Sequence, residues 1–308
     1  MEYNEFKESL IEKLKSITGD DIEVECHQVL KNNSINLDAI ILKKEGISAS
    51  PNFYIDQIYE KFKNDEEKSI TKICYEIINV FDNNAKNPKF EGTSLKYEDV
   101  KDKIVMRLVS KDKNEKLLSE CPNVDFLDLS IIFYVVVEYR KEDMACLRVN
   151  NEILKAWDIP LKKLYKRAFK NTQKMFKGKV VRINDMLKAS FNKHPGCPIE
   201  DEELKALLND EEINMFVITN ENNINGACMF LYDEVRDKLK EIFDNSFYIL
   251  PSSIHEVIAV KKDSNDKIDE LLQIVREINR TVVDKEEFLS DNIYEYNVET
   301  DSYSLICE

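Results

Sequence analysis

The chain has 308 residues, of which 43% are hydrophobic and 33% charged, and its formal net charge is −15. That apolar fraction sustains a packed core, and 6 Gly and 7 Pro are too few for long linkers or low-complexity repeats, so neither wholesale disorder nor a fibrous chain fits. The negative balance disfavours nucleic-acid and anionic-membrane partners, because each phosphate approached adds repulsion.

The opening stretch MEYNEFKESLIEKLKSITG mixes acids and lysines instead of pairing a basic start with an apolar block, so no signal peptide is read there. Phe6, Leu10, Ile11, Leu14 and Ile17 share one helical face and predict a helix that stops near Gly19. IEVECHQVL and INLDAIILKK read as a hairpin around the polar KNNS. After Pro51, YIDQIYEKFKN and EKSITKICYEIINVF predict a helix pair, the second with Tyr75, Ile78 and Phe81 on its apolar stripe. GTSLKYEDVKDKIVMRLVS, with Val100, Ile104 and Leu108 four apart, predicts another helix.

FLDLSIIFYVVVEYR and DMACLRVN then predict two strands, the first central and buried. NNEILKAWDIPLKKLYKRAFKNTQKMF is helical in two pieces, with Pro160 in the first turn of the second. Beyond HPGCPIEDEE the order is strand INMFVITN, strand GACMFL, helix YDEVRDKLKEIF, strand SFYIL, strand IHEVIAV, helix DKIDELLQIVREIN and strand NIYEY. This β-β-α-β-β-α order belongs to the α+β class, with mostly antiparallel sheets and helices packed on them. The Pro- and acid-rich stretch 194–212 places a boundary between regions 1–195 and 196–308, and the first region can subdivide near 90–125. No apolar run approaches the ~18 residues of a membrane span. Seven cysteines without a C-x-x-C pair point to reduced thiols and a cytoplasmic, membrane-free protein.

Residues 161–182 hold nine Lys or Arg and no acid, and read as one amphipathic helix with a cationic side. Lys163, Arg167, Lys170 and Lys174 form a candidate docking strip for an acidic partner or a nucleic acid. The competing reading is a solvated charged face, which is the commoner role of such a surface.

YILPSSIHEVIAV poses the catalytic question. A hydrolase needs a nucleophile, a base and an orienting acid, and Ser252 or Ser253 with His255 and a distant acid such as Asp291 supplies those types. Two points oppose it. On a strand His255 and Glu256 face opposite ways, and no G-x-S-x-G elbow surrounds the serines. The structural alternative is a turn fixed by Pro251 whose amides the serine hydroxyls satisfy. Asp38, and Asp128 with Glu138 and Arg140, resemble nuclease carboxylates at loose spacing. Cys26-His27 and the His194 to Cys197 pair lack the further ligands of a zinc site, so no metal is expected. No phosphate-cradling glycine motif is present, so no nucleotide cofactor is expected either.

The ordered motifs HQVLKNN, FLDLSIIFYVVVE, WDIPLKKLYKRAFKNT, VITN with NGACMFLY, ILPSSIHEVIAV, VREIN and FLSDNIYEY extend over nearly the whole chain. In these the sequence resembles a domain-of-unknown-function family (family 5688) widespread in anaerobic Gram-positive gut bacteria. The resemblance implies a bacterial, cytoplasmic protein and brings no assigned activity, cofactor or substrate. It picks out Asn220, Gly226, Ser252, Ser253, His255, Glu256, Ser290, Asp291 and Tyr294 as motif positions, the first six being candidate ligand-binding residues. Related sequences carry acids where this chain has lysines after Trp157, which makes the cationic face a local variant. The expected function is a non-enzymatic binding or regulatory module with a protein or small-molecule partner. The alternatives are a hydrolase or nuclease-like enzyme using Ser252, Ser253 and His255, and contact with an acidic partner or nucleic acid through 161–182.

Overall fold

In the computed structural model, which describes residues 1–47, 50–65, 69–86, 95–140, 143–192, 214–263 and 268–307, the first apolar stripe forms helix α1 (Tyr3–Thr18). It buries Phe6, Leu10 and Leu14, four residues apart, and stops at Gly19, whose φ of +62° suits a residue without a Cβ. Strands β1 (Glu23–Leu30) and β2 (Asn36–Lys43) pair antiparallel across the expected turn, and the short β3 (Phe53–Tyr54) adds to β2. Helices α2 (Ile55–Lys63) and α3 (Ile70–Lys86) follow. The buried stripe of α3 is Ile73, Cys74, Ile77 and Phe81. Tyr75, expected on that stripe, is exposed, because Ile73 and Ile77 already place the apolar face on the other side of the helix. These elements form one compact unit, Met1–Leu95, with its own core.

The second unit, Lys96–Glu308, holds two sheets. In the first, β6 (Leu129–Arg140) is central. Strand β4 (Ile104–Ser110) lies on one side of it, and β5 (Asn123–Phe126) and β7 (Asp143–Arg148) on the other. The second sheet has six strands in the order β13-β12-β10-β11-β9-β8: β8 (Gly178–Arg182), β9 (Met215–Asn220), β10 (Phe247–Leu250), β11 (Val257–Lys261), β12 (Ile293–Asn297) and β13 (Ser302–Ile306). Every described pairing is antiparallel, and helices pack around the sheets, as the α+β class requires.

Period-two alternation assigns the two faces of the second sheet. Phe247 and Ile249 join a core shared with Ile104, Met106 and Phe133 of the first sheet. Tyr248 and Leu250 face the other way, against Leu272 and Val275 of helix α10 (Ile268–Thr281). The remaining helices are α4 (Tyr97–Val100), α5 (Glu115–Glu120), α6 (Asn151–Trp157), α7 (Leu161–Met175), α8 (Ile183–Asn192) and α9 (Asp233–Phe243).

Three elements differ from the sequence reading. The stretch expected as a helix through Val100, Ile104 and Leu108 is a one-turn helix followed by strand β4. Ile104, Val105, Met106, Leu108 and Val109 are all buried, and such an apolar run, broken only by Arg107, is a two-sided strand that only imitates helical spacing. GACMFL is a fully buried 3-10 helix, Gly226–Leu231, entered from Asn225 in the left-handed region. The cationic helix expected over 161–182 ends at Met175, where Phe176 turns extended, and Lys179 and Arg182 lie on strand β8. Strands β3, β5, β8 and β13 and helices α5 and α8 have no counterpart in the sequence reading.

The two units part at 95/96. The stretch 194–212, where sequence placed a boundary, lies outside the described residues, as does the His194 to Cys197 pair. Strands β8 and β9 on its two sides pair in one sheet, from Gly178 opposite Asn220 to Arg182 opposite Phe216.

Helix α7 is fixed to the free edge of β4 by polar side chains. Thr172 Oγ1 accepts from Met106 N at 2.9 Å, and Asn171 Nδ2 donates to the carbonyls of Lys101 and Ile104 at 2.7 and 2.9 Å. An exposed strand edge is a template for wrong pairing, and here a helix covers it.

Candidate functional site

The segment 251–256 is clamped on both sides by backbone hydrogen bonds. The carbonyls of Ile254 and His255 accept from Ala227 N and Gly226 N at 3.1 and 2.9 Å. On the other side Ile254 N donates to the Glu287 carbonyl, while Leu289 N and Ser290 N donate to the carbonyls of Ser252 and Pro251. Strand β11 therefore begins only at Val257, and the residues before it form a crossing piece between two loops. Gly226 permits that crossing. A Cβ there would lie 2.4 Å from Thr219 Oγ1, 2.6 Å from Asn220 N and 2.8 Å from the His255 carbonyl oxygen.

The motif residues take these places. Ser253 Oγ accepts from His255 N at 3.0 Å, so its hydroxyl serves the turn, as the structural alternative held. The His255 ring turns elsewhere. Its Nδ1 accepts from Asn225 N at 3.1 Å, which puts the proton of the neutral ring on Nε2, 3.2 Å from Glu287 Oε1. Asn220 organises its own loop, with Oδ1 accepting from the amides of Asn222 and Ile224 and Nδ2 donating to the Ile224 carbonyl. Burial pushes the Glu256 carboxyl above its ordinary value; His255 opposes that and Glu287 adds to it. Asp291 accepts from Asn279 Nδ2 at 2.9 Å. Among the described residues no hydrogen bond joins a serine hydroxyl to the imidazole or the imidazole to Asp291, so Ser252, Ser253, His255 and Asp291 do not assemble as a relay.

The nuclease-like carboxylates are also anchors. Asp38 accepts from Lys7 Nζ at 2.6 Å and from the Tyr3 hydroxyl at 3.1 Å. Asp128, in the tight turn between β5 and β6, accepts from Ser290 Oγ, Asn292 Nδ2 and the Tyr294 hydroxyl at 2.5, 3.0 and 2.6 Å. Among the described residues no group of three His, Cys, Asp or Glu is placed to hold a metal.

The second place is a groove of about 510 Å³ lined by Tyr97, Pro160, Lys162, Lys163, Lys166, Arg167 and Lys170. Leu164, Ala168, Asn171 and Thr172 turn inward from α7 onto β4, and that forces the intervening cations outward. Lys162, Lys163, Lys166 and Lys170 are exposed, and among the described residues none of them has an ion-pair partner. Arg167 reaches Asp102 at 3.1 Å, with the carboxylate mostly in solvent. Glu98, nearby, has its carboxyl held below its ordinary value, first by a hydrogen bond from Lys101, with smaller contributions from Lys163 and Arg167. Lys163 Nζ sits 5.1 Å from the centre of the Tyr97 ring, which packs 5.7 Å from Trp157. The Tyr97 hydroxyl is buried with no hydrogen-bond partner among the described residues.

Of the candidate strip, Lys163, Arg167 and Lys170 line this groove and Lys174 does not. Lys162 and Lys166, part of the wider 161–182 face but not of the four named strip positions, line it too. Nothing local in sequence points to Tyr97, which the fold brings to α7 from the element before β4.

A family model described as a family of unknown function matches residues 3–298. The chain belongs to that family, DUF5688. Searches of curated proteins and of solved structures found no match. Membership in DUF5688 thus carries no activity to test against either place. The family match spans both: the clamp around Gly226 and the groove on α7. No helix among the described residues is long and apolar enough to cross a membrane.

Proposed function

We propose that this protein is a non-enzymatic binding module that holds an anionic ligand in the groove along α7. The observation that carries this reading is the concentration of five cations around one concave surface, four of them without an ion-pair partner among the described residues. The arrangement costs the helix stability. Lys162 with Lys166, Lys163 with Arg167, and Lys166 with Lys170 are like-charged neighbours at i, i+4, each unfavourable by roughly 0.2–0.5 kcal/mol. The first turn of a helix favours acids, yet α7 has none there, in a chain with 59 acidic residues. A bound anion offsets both terms.

The motif cluster around His255 supports a non-enzymatic reading, because Ser253 Oγ and His255 Nδ1 each accept from a backbone amide and do not face one another. The compartment we propose is the cytoplasm, on the odd cysteine count without C-x-x-C spacing.

The test is thermal shift of the purified protein with three anions: inorganic tripolyphosphate, a poly-glutamate peptide and a thymidine oligonucleotide. At least one raises the Tm at low salt, the gain falls as salt rises, and it disappears in a Lys163→Gln, Arg167→Gln, Lys170→Gln variant. If none of the three raises the Tm, the reading is wrong.

A further inference from the structure

We infer that the loop 221–225 is held closed by a latch that opens on acidification: the neutral ring of His255 accepts the Asn225 amide, and protonation turns that acceptor into a donor and releases the loop. The device owes nothing to the α7 groove and is tested separately from it.

The loop joins β9 to the buried 3-10 helix Gly226–Leu231. It turns through two residues in the left-handed region, Asn223 at φ +56° and Asn225 at φ +52°. Outside glycine that backbone is sparsely populated and persists only where neighbouring groups hold it. Asn220 holds the middle of the loop through the amides of Asn222 and Ile224 and the Ile224 carbonyl. Asn222 Nδ2 donates to the Tyr139 hydroxyl, and Glu221 N to the Lys177 carbonyl. At the far end His255 Nδ1 accepts from Asn225 N at 3.1 Å, and the Cys228 thiol reaches the Asn225 carbonyl at 3.6 Å.

Of these holds, amides, carbonyls and the phenol keep their hydrogen-bonding role between about pH 5 and 8. So does the Cys228 thiol, which burial pushes up to about 12. The imidazole is the one that changes charge in that range. A neutral ring has one donor and one acceptor, and an imidazolium has two donors. Nε2 already directs its proton to Glu287, so the second proton goes onto Nδ1, opposite the Asn225 N–H. No rotation of the ring restores an acceptor, and the amide must move away.

Two carboxylates act on the ring. Glu287, 3.2 Å from Nε2, and Glu256, next in the chain, both favour the protonated form. The loop itself sets the uncharged Asn225 amide against the ring, and its one charged residue, Glu221, acts on Tyr139. Protonation therefore strengthens the contact to Glu287 as it breaks the contact to Asn225. The closed loop binds the neutral ring, so the latch is complete above the histidine range and is lost as pH falls through it. The opening stops at Gly226. There the amides of Gly226 and Ala227 donate to the carbonyls of His255 and Ile254, which do not titrate, and the 3-10 helix beyond is wholly buried.

The experiment is amide hydrogen exchange of the full chain read by NMR. The Asn225 protection factor is followed from about pH 8 to about pH 5, together with the ring nitrogen shifts of His255. At the upper end the ring should show the proton on Nε2. As the ring protonates, Asn225 protection should fall by roughly 3- to 10-fold, the scale of one net hydrogen bond, while Gly226 and Ala227 keep theirs. His255→Asn supplies an oxygen acceptor near the Nδ1 position and does not titrate, so it should keep Asn225 protected at both ends. His255→Ala should show the low Asn225 protection throughout. Glu287→Gln should retain the transition and move it to lower pH, and Glu256→Gln should retain it too. A ring that protonates while Asn225 protection stays constant overturns the inference, as does a ring that stays neutral down to the lower end. A transition that survives in His255→Ala, or disappears in Glu256→Gln, assigns the pH dependence to another group and overturns it as well.

Discussion

The Tyr294 hydroxyl donates to Asp128 Oδ1 at 2.6 Å, joining strand β12 to the turn between β5 and β6 across 166 positions of chain. Burial first, and the neighbouring Asp128 charge next, push the Tyr294 phenol far above its ordinary value, so it stays protonated and remains a donor. Asp128 takes two further donors, Ser290 and Asn292, from the same segment. Asp128→Ala strands all three, and a loss of about 3 kcal/mol is expected, against about 1 kcal/mol for Tyr294→Phe. For a unit of this size each kcal/mol lowers Tm by roughly 2–4 °C. Equal small losses in both variants, read by thermal denaturation, contradict the hub.

Gly226 was singled out as a candidate ligand contact, and the structure gives it a steric duty. Gly226→Ala drives a methyl group toward Asn220 N and the His255 carbonyl, backbone atoms that cannot swing aside. A destabilisation of about 3 kcal/mol or more is expected. Urea unfolding of the variant measures it, and a midpoint within error of wild type shows that the crossing at Gly226 has slack.

Thr172→Val removes the acceptor of Met106 N–H while keeping the shape of the side chain. The orphaned amide on the edge of β4 is expected to cost about 1–3 kcal/mol. Hydrogen exchange adds a local readout: the Met106 amide should lose protection more than amides on the inner strand β6. Uniform loss of protection argues that α7 does not guard that edge.

Glu256 gives a pH signature. Its folded-state pKa is raised, by burial first, so within the window from the ordinary glutamate value up to the raised one the unfolded chain binds fewer protons than the folded one. Stability therefore falls as pH rises through that window, and the loss is complete above it. Glu256→Gln, fixed in the neutral form, should gain Tm over wild type as pH climbs through the window. A Tm difference that stays constant from acid to neutral pH removes the claim.

How much of this was legible in the sequence depends on range. Helix α1 and the β1–β2 hairpin were read correctly, because their stripes, Phe6, Leu10 and Leu14 or Val24 with Ile40 and Leu42, are local. Strand β4 was misread because Val100, Ile104 and Leu108 fit a helical period by coincidence, and only burial on both faces reveals the strand. The motif positions Asn220, Gly226, Ser253 and His255 meet in one cluster in the fold. Its purpose was not visible, since the partners of His255 are an amide from Asn225 and a carboxylate from Glu287, set by tertiary pairing. The α7 cations were plain in the sequence. The groove was not, because it needs Tyr97 brought against Lys163.

The three donors to Asp128 all lie between Ser290 and Tyr294, more than 160 positions downstream of their acceptor. During synthesis the β5–β6 hairpin thus leaves the ribosome with its turn carboxylate still bonded only to water. Closing that loop is an entropy cost that must be met before the contact repays it. The second unit should accordingly fold late and slowly, and in a refolding experiment Asp128→Ala should accelerate unfolding far more than it retards folding.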